Sequence, residues 1–406
     1  MLTAVPTPTF RPSSQATAVS RGRGDACPGA LRLHAADDGA LARVRIPGGV
    51  LTTGQARTLG LAARELGDGE LHLTSRGNVQ LRGLAPDGGG ELADRLETAG
   101  LLPSWPHERV RNVVASPLSG LDGRGLAEVR PWLREVDALL CASPTAAGLS
   151  GRFLFALDDG RGDVAALGAD VTVLAAPDGT AWVRVGASPD AVSVPAGDAA
   201  RVAVGVAEAF VEVSGGRVWR VSELPGRGEE LILRLGEVAR PAWPRSGAPE
   251  LGVVRAPDGT ASLSVLAPMG RLTATQWDAL TDTASGELRL TPWRGVVLPS
   301  VPVGRLTGLD AVGLVTGPGS PWSGVGACIG RPGCAKAHAD VRTDAAACLA
   351  TGGGLPVHWS GCERRCGRPS GDHVDVLAVP GGGYRIAGTP SSLSTLAADV
   401  AAARHA

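Results

Sequence analysis

The chain is almost devoid of lysine. Lys336 is its only one, so nearly all of the 39 basic residues are arginines, and 40 acidic residues offset them. A formal charge of −1 argues against general electrostatic attraction to nucleic acid or to an anionic membrane. An anion-binding site in this protein must therefore use planar guanidinium forks rather than ammonium groups.

Long apolar runs are also absent, and no stretch is long enough to span a bilayer. The N-terminal residues are rich in Pro, Ser and Thr and lack the apolar core of a signal peptide. This composition predicts a disordered tail over residues 1–24 and a cytoplasmic protein. Thiols stay reduced in that compartment, and seven cysteines is an odd number. Both points disfavour a disulfide framework and favour metal or redox chemistry.

The sequence contains an internal repeat, whose copies run from Arg45 to Leu84 and from Leu266 to Val301. The identities pair Pro47 with Pro268, Gly49 with Gly270, Leu51 with Leu272, Thr52 with Thr273 and Gln55 with Gln276. Each copy is predicted to form strand, helix and strand, with Thr53 as the N-cap of the first helix. Identities on both sides of the helix indicate a duplication and two halves arranged around one site.

Four cysteines form a pattern, Cys328-x5-Cys334 followed by Cys362-x3-Cys366. Zinc sites usually use shorter knuckles, and the C-x-x-C of a thioredoxin-type dithiol is absent. A cubane iron–sulfur cluster needs four thiolates on one face, and the neighbouring glycines allow backbone to pass close to it. The spacing thus favours a cluster, with zinc or unrelated cysteines as the alternatives.

The other three cysteines have simpler interpretations. Cys348 falls on an apolar helical face, and Cys141 follows an apolar run, so both are predicted to be core residues. Cys27, in "DACPG", precedes the first repeat, where either a structural or a ligand role is open.

The cysteine motif resembles that of the sirohaem-dependent nitrite and sulfite reductases. That family carries a phrase like H-x-S-G-C-x-N-G-C-x-R-P, which stands here as "HWSGCERRCGRP" over 358–369. "TSRGNVQLRG" (74–83) is similar to the family's T-T-R-Q-N-W-Q-I-R-G, and "RNVVASPLSGLD" (111–122) to its R-N-P-V-G-N-P-L-A-G-I-D. The resemblance covers nearly all of the chain after the tail, and the family shares the internal duplication.

Several residues depart from the reductase pattern. The reductases carry a phrase like L-P-R-K-F-K, whose lysines help to bind and protonate the small anion above the haem. The corresponding "LSGRFLF" (149–155) has Arg152 and Leu154 in place of those lysines. An apolar side chain cannot deliver protons to a six-electron reduction. Gly77 replaces a glutamine, and Arg364-Arg365 replaces Asn-Gly between the last two cysteines.

One branch of the superfamily, the precorrin-3B synthases, is more similar. Its members carry an N-terminal C-P-G phrase followed by P-G-G-x-L, seen here at 27–29 and 47–51. The resemblance implies an O2-dependent monooxygenase of aerobic cobalamin biosynthesis, which hydroxylates precorrin-3A with lactone formation. It also implies a [4Fe-4S] cluster on the four cysteines and a further mononuclear non-haem iron. Electrons would come from NADH through a separate reductase, because no complete G-x-G-x-x-G follows a strand.

Sirohaem and precorrin-3A are both tetrapyrroles fringed with carboxylates, so a cavity for one could hold the other. Guanidinium groups suit such carboxylates because each fork binds two oxygens in one plane. The candidate tetrapyrrole-binding residues are Arg76, Gln80, Arg82, Arg111, Asn112 and Arg152. Histidines with nearby acids, at 338, 358 and 373, are conceivable ligands of a second iron, but no pair has convincing spacing.

The implied fold is α+β, with duplicated ferredoxin-like half-domains and two α/β domains in a pseudo-two-fold arrangement. The predicted units are half-domains at 25–100 and 238–305, a tetrapyrrole-site domain at 101–237 and a cluster-binding domain at 306–406. The competing functions are a true nitrite or sulfite reductase, with sirohaem as cofactor, and a non-enzymatic protein stabilised by zinc or a cluster.

Overall fold

A computed structural model describes residue 25 and residues 27–349, 353–369 and 371–406. The tail predicted over 1–24 lies outside the described residues. The first repeat folds into strands and helices in the order β1 (His34–Ala36), β2 (Gly39–Val44), β3 (Val50–Thr52), α1 (Thr53–Leu66), β4 (Leu71–Leu73), β5 (Val79–Leu84) and α2 (Gly89–Thr98).

A six-stranded mixed sheet follows the first half. Its region contains β6 (Val113–Ala115), α3 (Arg130–Ala142), β7 (Phe155–Asp158), β8 (Val171–Ala175), β9 (Thr180–Val185), β10 (Ala191–Pro195), α4 (Ala199–Ser214), α5 (Glu229–Leu233) and β11 (Val238–Ala239). The strand order is β11-β10-β9-β8-β7-β6, with β6, β7 and β8 parallel. The predicted strands "GRFLFAL" and "VTVLAA" form β7 and β8, and the predicted helix is α4. Because β11 pairs with β10, this sheet extends past residue 237.

The second repeat reproduces the first. It contains β12 (Gly252–Arg255), β13 (Ala261–Leu266), β14 (Arg271–Leu272), α6 (Ala274–Thr283), β15 (Glu287–Leu290), β16 (Gly295–Leu298) and α7 (Leu306–Ala311). The C-terminal part contains β17 (Val325–Ala327), α8 (Val341–Ala347), β18 (Val357–Ser360), β19 (Val374–Ala378), β20 (Tyr384–Ile386), β21 (Thr389–Ser391) and α9 (Leu396–His405). Its sheet runs β17-β18-β19-β20-β21, with β17, β18 and β19 parallel.

The two halves exchange strands. The first sheet has the order β1-β2-β5-β4-β14, and the second has the order β12-β13-β16-β15-β3. Each half therefore completes its sheet with a short strand from the other, β14 pairing with β4 and β3 with β15. This reciprocal pairing is the two-fold arrangement that the repeat predicts.

Both repeat helices begin with the same hydrogen-bonded cap. In α1 the Thr52 hydroxyl accepts from the Gln55 backbone N–H, and the Gln55 side chain accepts from the Thr52 N–H. Thr273 and Gln276 form the same capping box in α6. The prediction of Thr53 as N-cap is wrong by one residue, because Thr52 has the extended backbone that lets its hydroxyl reach back.

Helices α1 and α6 pack together and join the halves into one apolar core. Trp277 is 1% exposed, and its indole Nε1 donates to the Ala56 carbonyl at 2.7 Å. Its ring lies against Gly60, where a Cβ would come within 2.7 Å of it. Among the helices of the described ranges, none combines the length and apolar content needed to cross a membrane.

We expect Trp277→Ala to lower the free energy of unfolding by about 3–5 kcal/mol, because it opens a cavity and orphans the Ala56 carbonyl. Urea unfolding followed by far-ultraviolet circular dichroism measures the change. Trp105→Ala, at a residue 44% exposed, serves as the control and should shift stability by less than about 0.5 kcal/mol. Equal effects of the two substitutions would show that the contact between α1 and α6 does not hold the halves together.

Candidate functional site

Two of the four motif cysteines follow neighbouring parallel strands. Cys328 comes directly after β17, and Cys362 comes two residues after the end of β18. The Cys328 N–H donates to the Trp359 carbonyl at 2.9 Å, which continues the β17–β18 register. Carboxyl ends of parallel strands meet at one edge of a sheet, so the topology brings both loops together.

The backbone around Cys328 is shaped for a thiolate ligand. The Gly361 N–H donates to Cys328 Sγ at 3.2 Å, and the Gly330 N–H also lies toward it. A Cβ at Gly361 would lie 2.7 Å from the Ala337 Cβ and 3.5 Å from this sulfur. Burial raises the pKa of the Cys328 thiol, while the two N–H groups act in the opposite direction. This glycine-lined cradle fits a bulky, negatively charged group on the cysteines.

The four motif sulfurs do not form a compact group, because no three of them lie within 4.8 Å of one another. Tetrahedral zinc, with bonds of about 2.3 Å, would hold its sulfurs about 3.8 Å apart, so zinc would require these loops to move closer together. Cys328, Cys334, Cys362 and Cys366 stay the predicted ligands of a [4Fe-4S] cluster.

Buried polar contacts hold the loop that carries the last two cysteines. His358 is fully buried, and its Nε2 donates to the Cys366 carbonyl at 3.1 Å. Burial, with the charge of Arg294, lowers the pKa of His358 to about 4, so the ring is neutral at pH 7. Arg365 pairs with Asp375 and Glu363, while Cys366 itself is exposed.

A second feature is a group of three arginines, Arg43, Arg45 and Arg76, which we call the arginine cluster. None of the three has a carboxylate partner within 4.0 Å among the residues that the structure describes. Arg45 is 2% exposed, and it donates to the backbone carbonyls of Arg109 (3.0 Å) and Gly151 (3.4 Å). Its Nη1 is buried without a partner.

Burial and repulsion by neighbouring arginines lower the pKa values of Arg45 and Arg76. Burial, followed by repulsion from Arg43, lowers the pKa of Arg45 to about 9. Burial, followed by repulsion from Arg220, lowers the pKa of Arg76 to about 10. Buried cations without counter-charges are expensive, so an anion entering here would gain strong interactions.

The structure separates the sequence-predicted tetrapyrrole ligands into two groups. Arg76 is in the cluster, and its Nη1 donates at 3.1 Å to the carbonyl of Arg152, whose own side chain stacks 4.8 Å above Trp219. Gln80, with its amide turned toward the guanidinium, accepts from Arg43 Nε at 3.1 Å. These side chains lie in or beside the cluster.

The remaining candidates already have partners within the protein. Arg82 forms two hydrogen bonds to Asp38 (2.6 and 2.7 Å), and Arg111 forms two to Asp137 (2.7 and 2.8 Å). Fully buried Asn112 accepts from Asn78 (2.9 Å) and donates to the Phe153 carbonyl (3.0 Å). A ligand role for these three residues stays a prediction from the resemblance.

Sequence reasoning missed Arg43 and Arg45. Arg43 lies in β2 and Arg45 follows the last residue of that strand, Val44. The available signal was two cations that alternate with apolar residues, the period of two typical of a strand.

Leu154 lies in an apolar cluster, 3% exposed. Val114, Ala156, Val164 and Ala169 complete it, and Trp293 packs against it. Trp293 occupies the repeat position that corresponds to Arg76, two residues after a loop-capping threonine (Thr291 and Thr74). The matching loop position thus carries a cation, Arg76, in one half and an apolar ring, Trp293, in the other, while Arg294 follows Trp293 in the second loop.

The histidines proposed for a second iron do not gather ligands. Across the described ranges, the only group with three potential ligand atoms within 4.8 Å is Asp68, Glu70 and His72. Arg271 pairs with Glu70, and Arg342 faces His72, so cations already surround that group.

Comparison with known proteins places this architecture in a family. The nitrite/sulfite reductase ferredoxin-like half domain matches residues 34–99 and 254–311, the two repeats. A ferredoxin–nitrite reductase of Synechococcus elongatus is 30% identical, with 84% of this chain and 76% of the relative covered. A precorrin-3B synthase of a Sinorhizobium species is 28% identical, with 90% and 83% covered. The structure of Mycobacterium tuberculosis NirA superposes with a TM-score of 0.67 at 22% identity, covering 86% of this chain and 74% of that one.

The chain belongs to the nitrite and sulfite reductase family, whose members are oxidoreductases. The predicted superfamily and the α+β fold of duplicated ferredoxin-like half-domains are thereby confirmed. Within that family, this chain is similar both to nitrite reductases and to a precorrin-3B synthase.

We expect replacement of any motif cysteine, for example Cys362→Ser, to remove bound iron and sulfide and the broad visible absorption of a cluster. Iron, sulfide and zinc analysis of anaerobically purified protein tests this. Cys348→Ser is the matched control and should keep the full metal content. Stoichiometric zinc in place of iron would contradict the cluster assignment.

Proposed function

We propose that the protein is a precorrin-3B synthase, an O2-dependent monooxygenase that hydroxylates precorrin-3A with lactone formation in aerobic cobalamin biosynthesis. It would work in the cytoplasm, with electrons from NADH delivered by a separate reductase. The similarity to the Sinorhizobium enzyme along 90% of the chain supports this proposal.

The observation that carries it is the environment of Leu154. Where the resembling reductases place a lysine that serves the small anion, this chain has a leucine buried in an apolar cluster against which Trp293 packs. A leucine cannot donate a proton, so this position cannot supply the protons of a multi-proton reduction. An apolar side chain at this position suits a large, partly apolar ligand better than nitrite or sulfite.

The arginine cluster would bind the carboxylates of that ligand. Each guanidinium can donate two hydrogen bonds to carboxylate oxygens in its plane, and the Nη1 of Arg45 is without a partner. Fixed cations at one side orient the macrocycle, because its acetate and propionate groups are distributed asymmetrically around the ring. Orientation decides which ring carbon is hydroxylated.

The redox balance needs two electrons and two protons. One atom of O2 enters the substrate and the other leaves as water. A [4Fe-4S] cluster on the four cysteines would supply electrons one at a time. The exposed position of Cys366 leaves this edge accessible to an electron donor. A mononuclear non-haem iron remains part of the proposal by resemblance only.

A sirohaem-dependent nitrite or sulfite reductase is the second candidate, because the Synechococcus relative is named a ferredoxin–nitrite reductase. Aerobic incubation with precorrin-3A and a reducing system separates the two functions. We expect a product heavier by one oxygen atom, labelled when 18O2 is used. Unchanged precorrin-3A with an intact cluster, together with sirohaem absorption bands and nitrite turnover, would favour the reductase.

Arg45→Gln should weaken the binding of uroporphyrin, a tetrapyrrole with the same kinds of carboxylates, by about 10- to 100-fold. It should change stability little, because removing a buried charge without a counter-charge offsets the loss of its hydrogen bonds to the Arg109 and Gly151 carbonyls. Fluorescence titration and urea unfolding measure the two effects.

Arg111→Gln provides the contrast, since its guanidinium already pairs with Asp137. We expect it to lower stability and to leave uroporphyrin affinity nearly unchanged. The opposite pattern for the two variants would contradict the assignment of the arginine cluster to the ligand.

A further inference from the structure

Two carboxylates, those of Asp25 and Glu108, link the chain around Cys27 to residues 108–151. Asp25 accepts from the Ser150 hydroxyl (2.9 Å), from the Gly151 N–H (2.8 Å) and from the Cys27 N–H (2.9 Å). Glu108 accepts from two further backbone N–H groups just downstream, at Ala30 (2.7 Å) and Leu31 (2.8 Å). Cys27 lies between these attachments, so its position is fixed.

Cys27 lies beside the arginine cluster. A Cβ at Gly151 would come within 2.9 Å of the Cys27 Cβ and 3.1 Å of Arg45 Nη2, so both side chains converge on this glycine. Arg43, Arg45 and Arg76 are all close enough for their charges to act on the thiol. The arginine cluster therefore brings a half-buried thiol next to three guanidinium groups, one of which, that of Arg45, has its Nη1 buried without a partner.

We propose that Cys27 is part of the ligand site: its thiol contacts the carboxylate-bearing edge of the tetrapyrrole, so alkylation of Cys27 and tetrapyrrole binding exclude each other. The identity of the ligand rests on the proposed function. The placement of the thiol beside the arginine cluster rests on the geometry of Cys27, Arg45 and Gly151.

A neutral thiol suits this position. Burial raises the pKa of the Cys27 thiol, and the nearby Asp25 carboxylate raises it further. An uncharged S–H leaves the guanidinium groups free for the ligand and can donate a weak hydrogen bond. A carboxylate at this position would instead occupy them.

The first test compares the charge preference of alkylation, with the cluster intact. For each cysteine, the quantity compared is the rate of labelling by iodoacetate divided by the rate of labelling by iodoacetamide. We expect this ratio to be at least about fivefold higher at Cys27 than at Cys348. Cys348 is the control because it is also half-buried but lies near Asp344. Equal ratios at the two cysteines, measured by mass spectrometry, would overturn the placement of Cys27 among free cations.

The second test uses uroporphyrin. Saturating uroporphyrin should slow iodoacetamide labelling of Cys27 at least tenfold without changing the rate at Cys348. Carbamidomethylation or Cys27→Leu should raise the dissociation constant at least tenfold with unchanged cluster absorbance, whereas Cys27→Ser should keep affinity within about threefold. Labelling that bound uroporphyrin does not slow would overturn the contact. Protection of Cys27 without turnover of precorrin-3A would support the contact and count against the proposed function alone.

Discussion

The close approach of the two halves at two glycines is the constraint on which the site depends. A Cβ at Gly49 would overlap the Leu290 carbonyl oxygen, and one at Gly270 would lie 3.0 Å from the Leu73 carbonyl oxygen. Both glycines have positive φ, 71° and 73°, and each precedes the strand that crosses into the other half's sheet. Without these contacts neither β3 nor β14 could complete the opposite sheet. The loops after β4 and β15 would then not face one another across the pseudo-two-fold axis.

Those two loops have the same backbone and different chemistry. Thr74 and Thr291 cap them in the same way, and Gly77 and Arg294 occupy the matching left-handed position, with φ of 66° and 62°. Duplication therefore supplied one scaffold twice. The side chains then diverged, so that Arg76 faces a cationic pocket and its counterpart, a tryptophan, closes an apolar one. A two-fold scaffold binds an asymmetric ligand in one orientation only when its halves differ in this manner.

Features that depend on residues close together in the chain could be predicted from the sequence. The strand–helix–strand pattern of both repeats is predicted from local residues, although the cap of the first helix was predicted at Thr53 and lies at Thr52. Ion pairs could not be predicted in this way, because the carboxylate that pairs with an arginine can lie far away in the sequence. Arg82 lies in β5 and Arg43 in the neighbouring β2, yet only Arg82 meets a carboxylate, Asp38. Local pattern cannot predict a missing counter-ion, so Arg43 and Arg45 were overlooked while Arg82 was selected.

The missing counter-ions also connect stability with binding. Folding places Arg45 out of water with two of its five N–H groups directed at backbone carbonyls and none at a carboxylate. That arrangement destabilises the protein, and a bound polycarboxylate would remove the penalty, so the proposed ligand would link binding to folding. Asp25 lies beside the same cluster, where it accepts from Ser150 and Gly151 and pairs with Arg109. Its charge favours the charged form of Arg45, but among the described residues no ion pair joins it to the three clustered arginines. Under the proposed function, the carboxylates of the ligand would be the counter-charges that these buried arginines lack.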